Sequence, residues 1–235
     1  MYREQPSGVA GVLLWSAQRT PTGAGTSVLP DGCMDLIWHE DGFLVAGPDT
    51  QPHHSDLGTR RTLTALRCAP GFGPALFGVD ACELRDQRVP LDQMWSSRRV
   101  RRLTDSAHVD PEATLVAIAR DRLAAADVGI DAAVAALLAS GETVAGTAAA
   151  VGWSERRLHR QAVRTFGYGP KTLGRILRFR RAVDSARSGV GFAAIAYDCG
   201  FTDQAHLARE IRALSGTTLT DLADSYARAA NRSIG

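Results

Sequence analysis

Two sets of basic and hydrogen-bonding side chains recur along the chain at nearly the same spacing. Arg156, Arg157, His159 and Arg160 surround Leu158, and Gln204, Ala205, His206 and Arg209 surround Leu207. A guanidinium group neutralises phosphate, and its fork bonds guanine O6 and N7 together, as a glutamine amide does adenine N6 and N7. The chemistry on offer is recognition of a nucleic acid duplex. A merely solvated basic helix would share the composition but not the repeated spacing.

Each set needs a helix that starts sharply and turns one face outward. Residues 143–166 read as helix, tight turn, helix, with Gly152 punctuating the turn and Ser154 placed to accept from the free N–H groups of the next helix. Residues 192–214 repeat the pattern. Gly200 follows Gly152 at an offset of 48, while Leu207 follows Leu158 and Arg209 follows Arg160 at 49, so the second turn holds one extra residue and Asp203 is its cap. Leu158 with Ala162, and Leu207 with Ile211, are four apart and face inward. A third helix runs between the copies, opened by Pro170 and closed near Gly189, with Leu173, Ile176, Leu177, Val183 and Ala186 along one side. Its roughly 18 residues span about 27 Å, close to the ~34 Å between successive major-groove openings once the flanking helices add their width. It acts as a spacer, and it carries Lys171 and Arg178.

The run GWSERRLHRQAVRTFGYGPKTLGRILRFRRA, followed by IAYDCGFTDQAHLAREIRALSGTT, resembles the DNA-binding domain of the AraC family of bacterial transcription regulators. The resemblance covers about 100 residues and two departures stand out: Thr217-Thr218 replaces the usual Thr-Pro entry to the final helix, and Ile211 stands where an aromatic is usual. It implies an all-α double helix-turn-helix with double-stranded DNA as partner. Base-contacting positions then fall on Arg156, His159 and Arg160 and on Gln204, Ala205, His206 and Arg209, while Ser154, Arg157, Lys171 and Arg178 complete the DNA-facing set. RNA polymerase and a second copy of the chain are further candidate partners. Upstream, PDGCMDLIW, VAGPDTQP and ELRDQRVPLDQMW resemble the N-terminal domain of a subset of these regulators, and that resemblance supplies no ligand.

Charge is distributed as this division requires. Residues 150–212 carry 12 Lys and Arg against 5 Asp and Glu, whereas the remainder carries 15 against 20, so a basic region is attached to an acidic one. At 235 residues with 45% hydrophobic content, two domains with ordinary cores are expected. No apolar run approaches the ~20 residues that cross a bilayer, and the first residues lack a secretory core, so a cytoplasmic location without membrane attachment is expected. Cys33, Cys68, Cys82 and Cys199 form no close pair, as reduced thiols would.

The first half reads as a small β-rich domain. Residues 11–16, 33–38, 43–46 and 62–67 are short strands bounded by Gly and Pro, and Pro30-Asp31-Gly32 is a tight turn. Residues 73–95 shift to short helical pieces. Arg98 to Arg102 is a basic helix start, 111–126 a helix with Leu115, Ile118, Ala119 and Leu123 at helical spacing, and 130–138 another. The expected fold is α+β: a β-rich sensor domain over 1–95, a helical connector over 96–129, and the double helix-turn-helix over 130–235.

A small-molecule effector is expected on the first domain, where Asp31, Cys33, Asp35 and Arg67 would fix a ligand against Trp38 as aromatic wall. Asp31 reads equally as a turn residue and Trp38 as core. Cys33, His39, His53, His54 and Cys68 include metal-ligating types, but their spacing matches no ligand pattern, and no metal or cofactor is expected. A metal- or thiol-responsive regulator working through Cys33 or Cys68 is the alternative. The chain has no G-x-S-x-G elbow, P-loop or H-E-x-x-H helix, and Gly23-Ala24-Gly25 is too short to imply a nucleotide, so an enzyme domain fused to a DNA-binding module finds little support.

Overall fold

Strands and helices segregate along the chain, as the change of hydrophobic period from two to 3.6 demands. A computed structural model describes residues 2–18, 27–54 and 62–224. His54 keeps its backbone place but its side chain lies outside the described residues, as do 19–26 with the Gly23-Ala24-Gly25 run. The fold is α+β, an antiparallel sheet followed by a helical region.

Eight strands come first: β1 (Tyr2–Val9), β2 (Val12–Gln18), β3 (Ser27–Val28), β4 (Met34–His39), β5 (Gly42–Ala46), β6 (His53–His54), β7 (Thr62–Cys68) and β8 (Arg88–Pro90). Six form one antiparallel sheet in the order β1-β2-β7-β4-β5-β8, while β3 pairs with β6. β1 and β8 were not expected. β1 is an edge strand whose side chains are mostly exposed, so it lacks the apolar alternation that marks the others, and β8 is an edge strand of three residues ending at Pro90, where a missing N–H is tolerated.

Alternation divides the sheet into two faces. Val12, Leu14, Met34, Leu36, Trp38 and Val45 form a core with Leu76 and Phe77 of α1 (Gly73–Phe77). Trp15, Ile37, Ala46, Leu63 and Ala65 form a smaller cluster on the other face. Helices α2 (Ser97–Val109) and α3 (Pro111–Leu123) cover the first face, since Ala107, Leu115, Ile118 and Ala119 share its core. The stretch read as a connector thus supplies one wall of the sheet's core.

The remaining helices are α4 (Gly129–Ser140), α5 (Val144–Ala150), α6 (Glu155–Phe166), α7 (Pro170–Arg187), α8 (Phe192–Asp198) and α9 (Gln204–Ser215). They share a single core in which Leu158, Leu173, Ile176, Ile195 and Ile211 are fully buried. Ile211 fills the inward position with an aliphatic side chain. Thr217-Thr218 is answered by a capping box: Thr218 Oγ1 accepts from Asp221 N at 3.1 Å, and Asp221 Oδ2 accepts from Thr218 N at 3.4 Å and Oγ1 at 2.6 Å. The helix beginning at 219 needs no proline to start.

Candidate nucleic-acid interface and the cleft behind it

The two helical turns are built alike, down to single hydrogen bonds. After α5, Gly152 adopts φ +67° and Trp153 N donates to Ala148 O at 2.8 Å; after α8, Gly200 adopts φ +72° and Phe201 N donates to Ala196 O at 2.8 Å. A positive φ favours glycine at both. The paths then part by the extra residue. Thr202 has its N–H satisfied by His206 Nδ1 at 3.2 Å, and the caps follow: Ser154 Oγ accepts from Arg157 N at 3.2 Å, and Asp203 Oδ1 from His206 N at 2.6 Å.

Helices α6 and α9 therefore start at fixed points and turn like faces outward. Leu158 and Ala162, and Leu207 and Ile211, are buried, whereas Arg156, Arg157, His159, Arg160, Gln204, Ala205 and Arg209 are exposed. Three candidates have partners of their own. Arg157 stacks 4.7 Å over the Trp153 ring, and His206 stands edge-on to Phe201 with ring centroids 5.5 Å apart. Arg178 donates through Nη1 to Gly200 O at 3.3 Å and lies 5.5 Å over Phe201. Lys171 is exposed in the first turn of α7.

Helix α7 is a packed spacer. Leu173, Ile176, Leu177, Val183 and Ala186 are buried as expected, with Phe179 and Ala182 added to the same side. Arg181 crosses from it to Ala139 O at 2.6 Å and Asp198 O at 3.1 Å, satisfying carbonyls at the ends of α4 and α8. Arg175 pairs with Glu210 of α9. The spacing of the two helix-turn-helix units is held by these cross-links as well as by helix length.

The sheet domain grips the end of α6. Arg164 donates through Nε and Nη2 to Asp80 at 2.9 and 3.3 Å, and Arg85 Nη1 donates to Gly167 O at 3.3 Å. Gly167, the left-handed residue that ends α6, packs so closely that an added Cβ would lie 2.6 Å from Pro48 Cγ. None of Asp80, Arg85 or Pro48 could be matched to α6 from the sequence, because the contacts join residues about 80 or more apart.

Of the five expected effector residues, four come together. Arg67 Nε donates to Asp35 Oδ1 at 3.3 Å and lies 3.9 Å from Asp31 Oδ2, while its Nη1 donates to Glu4 Oε1 at 3.1 Å. Asp31 also accepts from Cys33 N at 2.9 Å, so it is a turn residue and a member of the cluster at once. Trp38 is not among them. It lies three residues from Asp35 and so on the opposite face, packed on Phe43 and His108 in the core. The aromatic beside Asp35 is Trp15, whose Nε1 donates to Asp35 Oδ1 at 2.7 Å. Only the pairing of β2 and β4 on either side of β7 makes them neighbours, and a sequence pattern does not give that pairing.

Burial raises the Asp35 carboxyl above the ordinary carboxylate range, against the pull of Arg67. Burial also pushes the Cys33 thiol well up, with Asp31 adding to it, and does the same to Cys68. Both are held as neutral thiols, and the thiolate is the form that oxidises or ligates metal. Among the described residues no three of His, Cys, Asp and Glu gather as a metal site. Cys33, His39, His53 and Cys68 are not brought into one cluster.

With this geometry in view, residues 147–225 match the sequence profile of a helix-turn-helix domain. This region is an AraC-type helix-turn-helix domain. The protein carrying it is a DNA-binding transcription regulator. Residues 12–90 match a domain of unknown function, DUF6597. No curated protein matches the chain. Among solved structures, a probable AraC family transcriptional regulator from Rhodopseudomonas palustris is 23% identical over 41% of this chain and 92% of its own, with a TM-score of 0.35. Apo ToxT from Vibrio cholerae, in a single-residue variant, is 10% identical over 91% of this chain and 97% of its own, with a TM-score of 0.49. ToxT from Vibrio cholerae O395 is 6% identical over 94% and 96%, with a TM-score of 0.47. Among the described residues, no helix beside the AraC-type domain or within it is long and apolar enough to cross a membrane.

Proposed function

We propose that α6 and α9 are the reading helices of this regulator and enter adjacent major-groove segments of one DNA site. The supporting observation is their shared construction: a left-handed glycine, a side-chain cap, an apolar inner face and an exposed basic outer face, joined by an 18-residue helix. Arg156, His159 and Arg160 of the first helix and Gln204, Ala205 and Arg209 of the second meet bases or their flanking phosphates, and Arg157 and Lys171 meet phosphate. His206 and Arg178 shape the second turn first and reach DNA second, since both are already engaged with Phe201.

The first domain modulates this reading. Its grip on α6 through Asp80, Arg85 and Pro48 gives a change in the sheet domain a direct route to the first reading helix. Binding-site selection from randomised duplexes tests the proposal. A bipartite motif with half-sites about one helical turn, ~10 base pairs, apart is expected. A single short motif, or none, overturns it.

A further inference from the structure

A cavity of about 450 Å³ opens where the sheet domain meets α7, within the ~300–1,000 Å³ usual for small-molecule sites. Its walls are residues 6–13 of the β1–β2 hairpin with Cys33, Arg67, Ala69 and Arg180. The wall is mostly apolar, and its only charged members are the two guanidinium groups.

The hairpin that forms the rim is held in shape. Gly8 and Gly11 have φ +76° and +71°, Ser7 Oγ donates to Val12 O at 2.7 Å, and Phe72 lies so close to Gly11 that no side chain fits there. The opening is therefore part of the folded state and does not depend on a moving loop.

The two cations differ in how far they are neutralised. Arg67 is answered by Asp35 and Glu4. Arg180 has a thiol at 3.3 Å, Cys33 Sγ, and one carboxylate oxygen, Asp184 Oδ2, at 3.9 Å. Burial and Asp31 keep that thiol protonated, so it compensates little charge. The Nη2 atoms of Arg67 and Arg180 have no hydrogen-bond partner among the described residues. Each is a planar donor suited to a carboxylate.

We propose that this cavity binds a small monoanion, a carboxylate on an apolar body, with the carboxylate on Arg180 and the body along the hairpin. The inference rests on the effector reading of the first domain and gives it a site and a ligand class. Arg180 belongs to α7, the spacer between the reading helices, so an anion held between Arg180 and Arg67 would join that spacer to the sheet. A ligand shifts the equilibrium between two arrangements only by its preference for one of them, and a contact made from both sides supplies such a preference.

Calorimetry on the full chain without DNA, using 4-phenylbutyrate and 4-phenylbutanamide, tests it. The carboxylate is expected to bind at least ~10-fold more tightly than the amide, a factor that corresponds to one charge-assisted contact. Arg180→Gln should remove that preference and Arg180→Lys should keep part of it. Ala10→Trp, at an exposed rim position, should block both probes, which keeps the test decisive if Arg180→Gln does not fold. Equal binding of the two probes, no binding of either at ~1 mM, or unchanged preference in Arg180→Gln overturns the proposal. Tight binding of inorganic phosphate in place of the carboxylate overturns it as well. DNA binding is measured separately: carboxylate binding lost with DNA binding intact removes only this site, and carboxylate binding intact without any effect on DNA binding removes the effector reading.

Discussion

Arg164, in the last turn of the first reading helix, is ion-paired to Asp80 of the sheet domain at 2.9 Å, and three residues later Gly167 lies against Pro48. The pair is solvent-exposed and contributes little by itself. The close packing at Gly167 is what fixes the junction. Gly167→Ala would put a Cβ 2.6 Å from Pro48 Cγ at φ +86°. Gly152→Ala and Gly200→Ala meet nothing within 4 Å and pay only for their positive φ. Thermal unfolding should show a loss of about 1–2 kcal/mol for the two turn variants and roughly 2–4 kcal/mol for Gly167→Ala, strain and overpacking together. Equal losses at all three positions would mean that the junction yields freely.

Roles within the first reading helix separate by a pair of variants. Arg160 is exposed on the outer face of α6, and Lys171 is exposed at the start of α7 beyond it. Arg160→Ala should cost about 1–3 kcal/mol of DNA binding and relax preference at one or two base positions. Lys171→Ala should weaken all sequences alike. Selection from randomised duplexes checks both, and an identical motif from wild type and Arg160→Ala would leave Arg160 a positioning contact.

The helical half was largely legible in the sequence because its signals are local. Ser154, Asp203, Gly152 and Gly200 act within a few residues of where they stand, and the burial of Leu158, Leu207 and the α7 face follows from helical spacing. The sheet half was legible only in part. Period two gives which face of β4 a residue takes, which was enough to separate Trp38 from Asp35 had it been applied. It does not say that Trp15 is the neighbour of Asp35, because that depends on which strands pair. Arg180 was hidden for a similar reason: it reads as one more arginine of a basic helix, and its contact with Cys33 spans 147 residues.

The spacer can be tested without touching a DNA contact. Arg178 lies in the middle of α7, and proline there removes a helical hydrogen bond and clashes with the preceding turn, at about 3 kcal/mol or more. The cross-links from Arg175 and Arg181 bracket the break. Footprinting of Arg178→Pro should show protection of only half the site, with helical circular dichroism mostly retained. A footprint of unchanged length and affinity would show that spacing is set elsewhere.

Salt dependence counts the phosphate contacts. Arg156, Arg157, Arg160, Lys171 and Arg209 are exposed cations on or beside the two outer faces. Each phosphate neutralised contributes about −0.9 to the slope of log affinity against log salt, so a slope between about −4 and −5 is expected. Arg178 should stand apart in this measurement. Its guanidinium is spent on Gly200 O and Phe201, so Arg178→Ala should lower affinity by loosening the second turn while leaving the slope within about 0.3 of wild type, whereas Lys171→Ala should make it shallower by about 0.9. Titrations at four salt concentrations distinguish the two. A full unit of change for Arg178→Ala would return that residue to the phosphate-contacting set, and a flat slope for the wild-type protein would remove this face from DNA binding altogether.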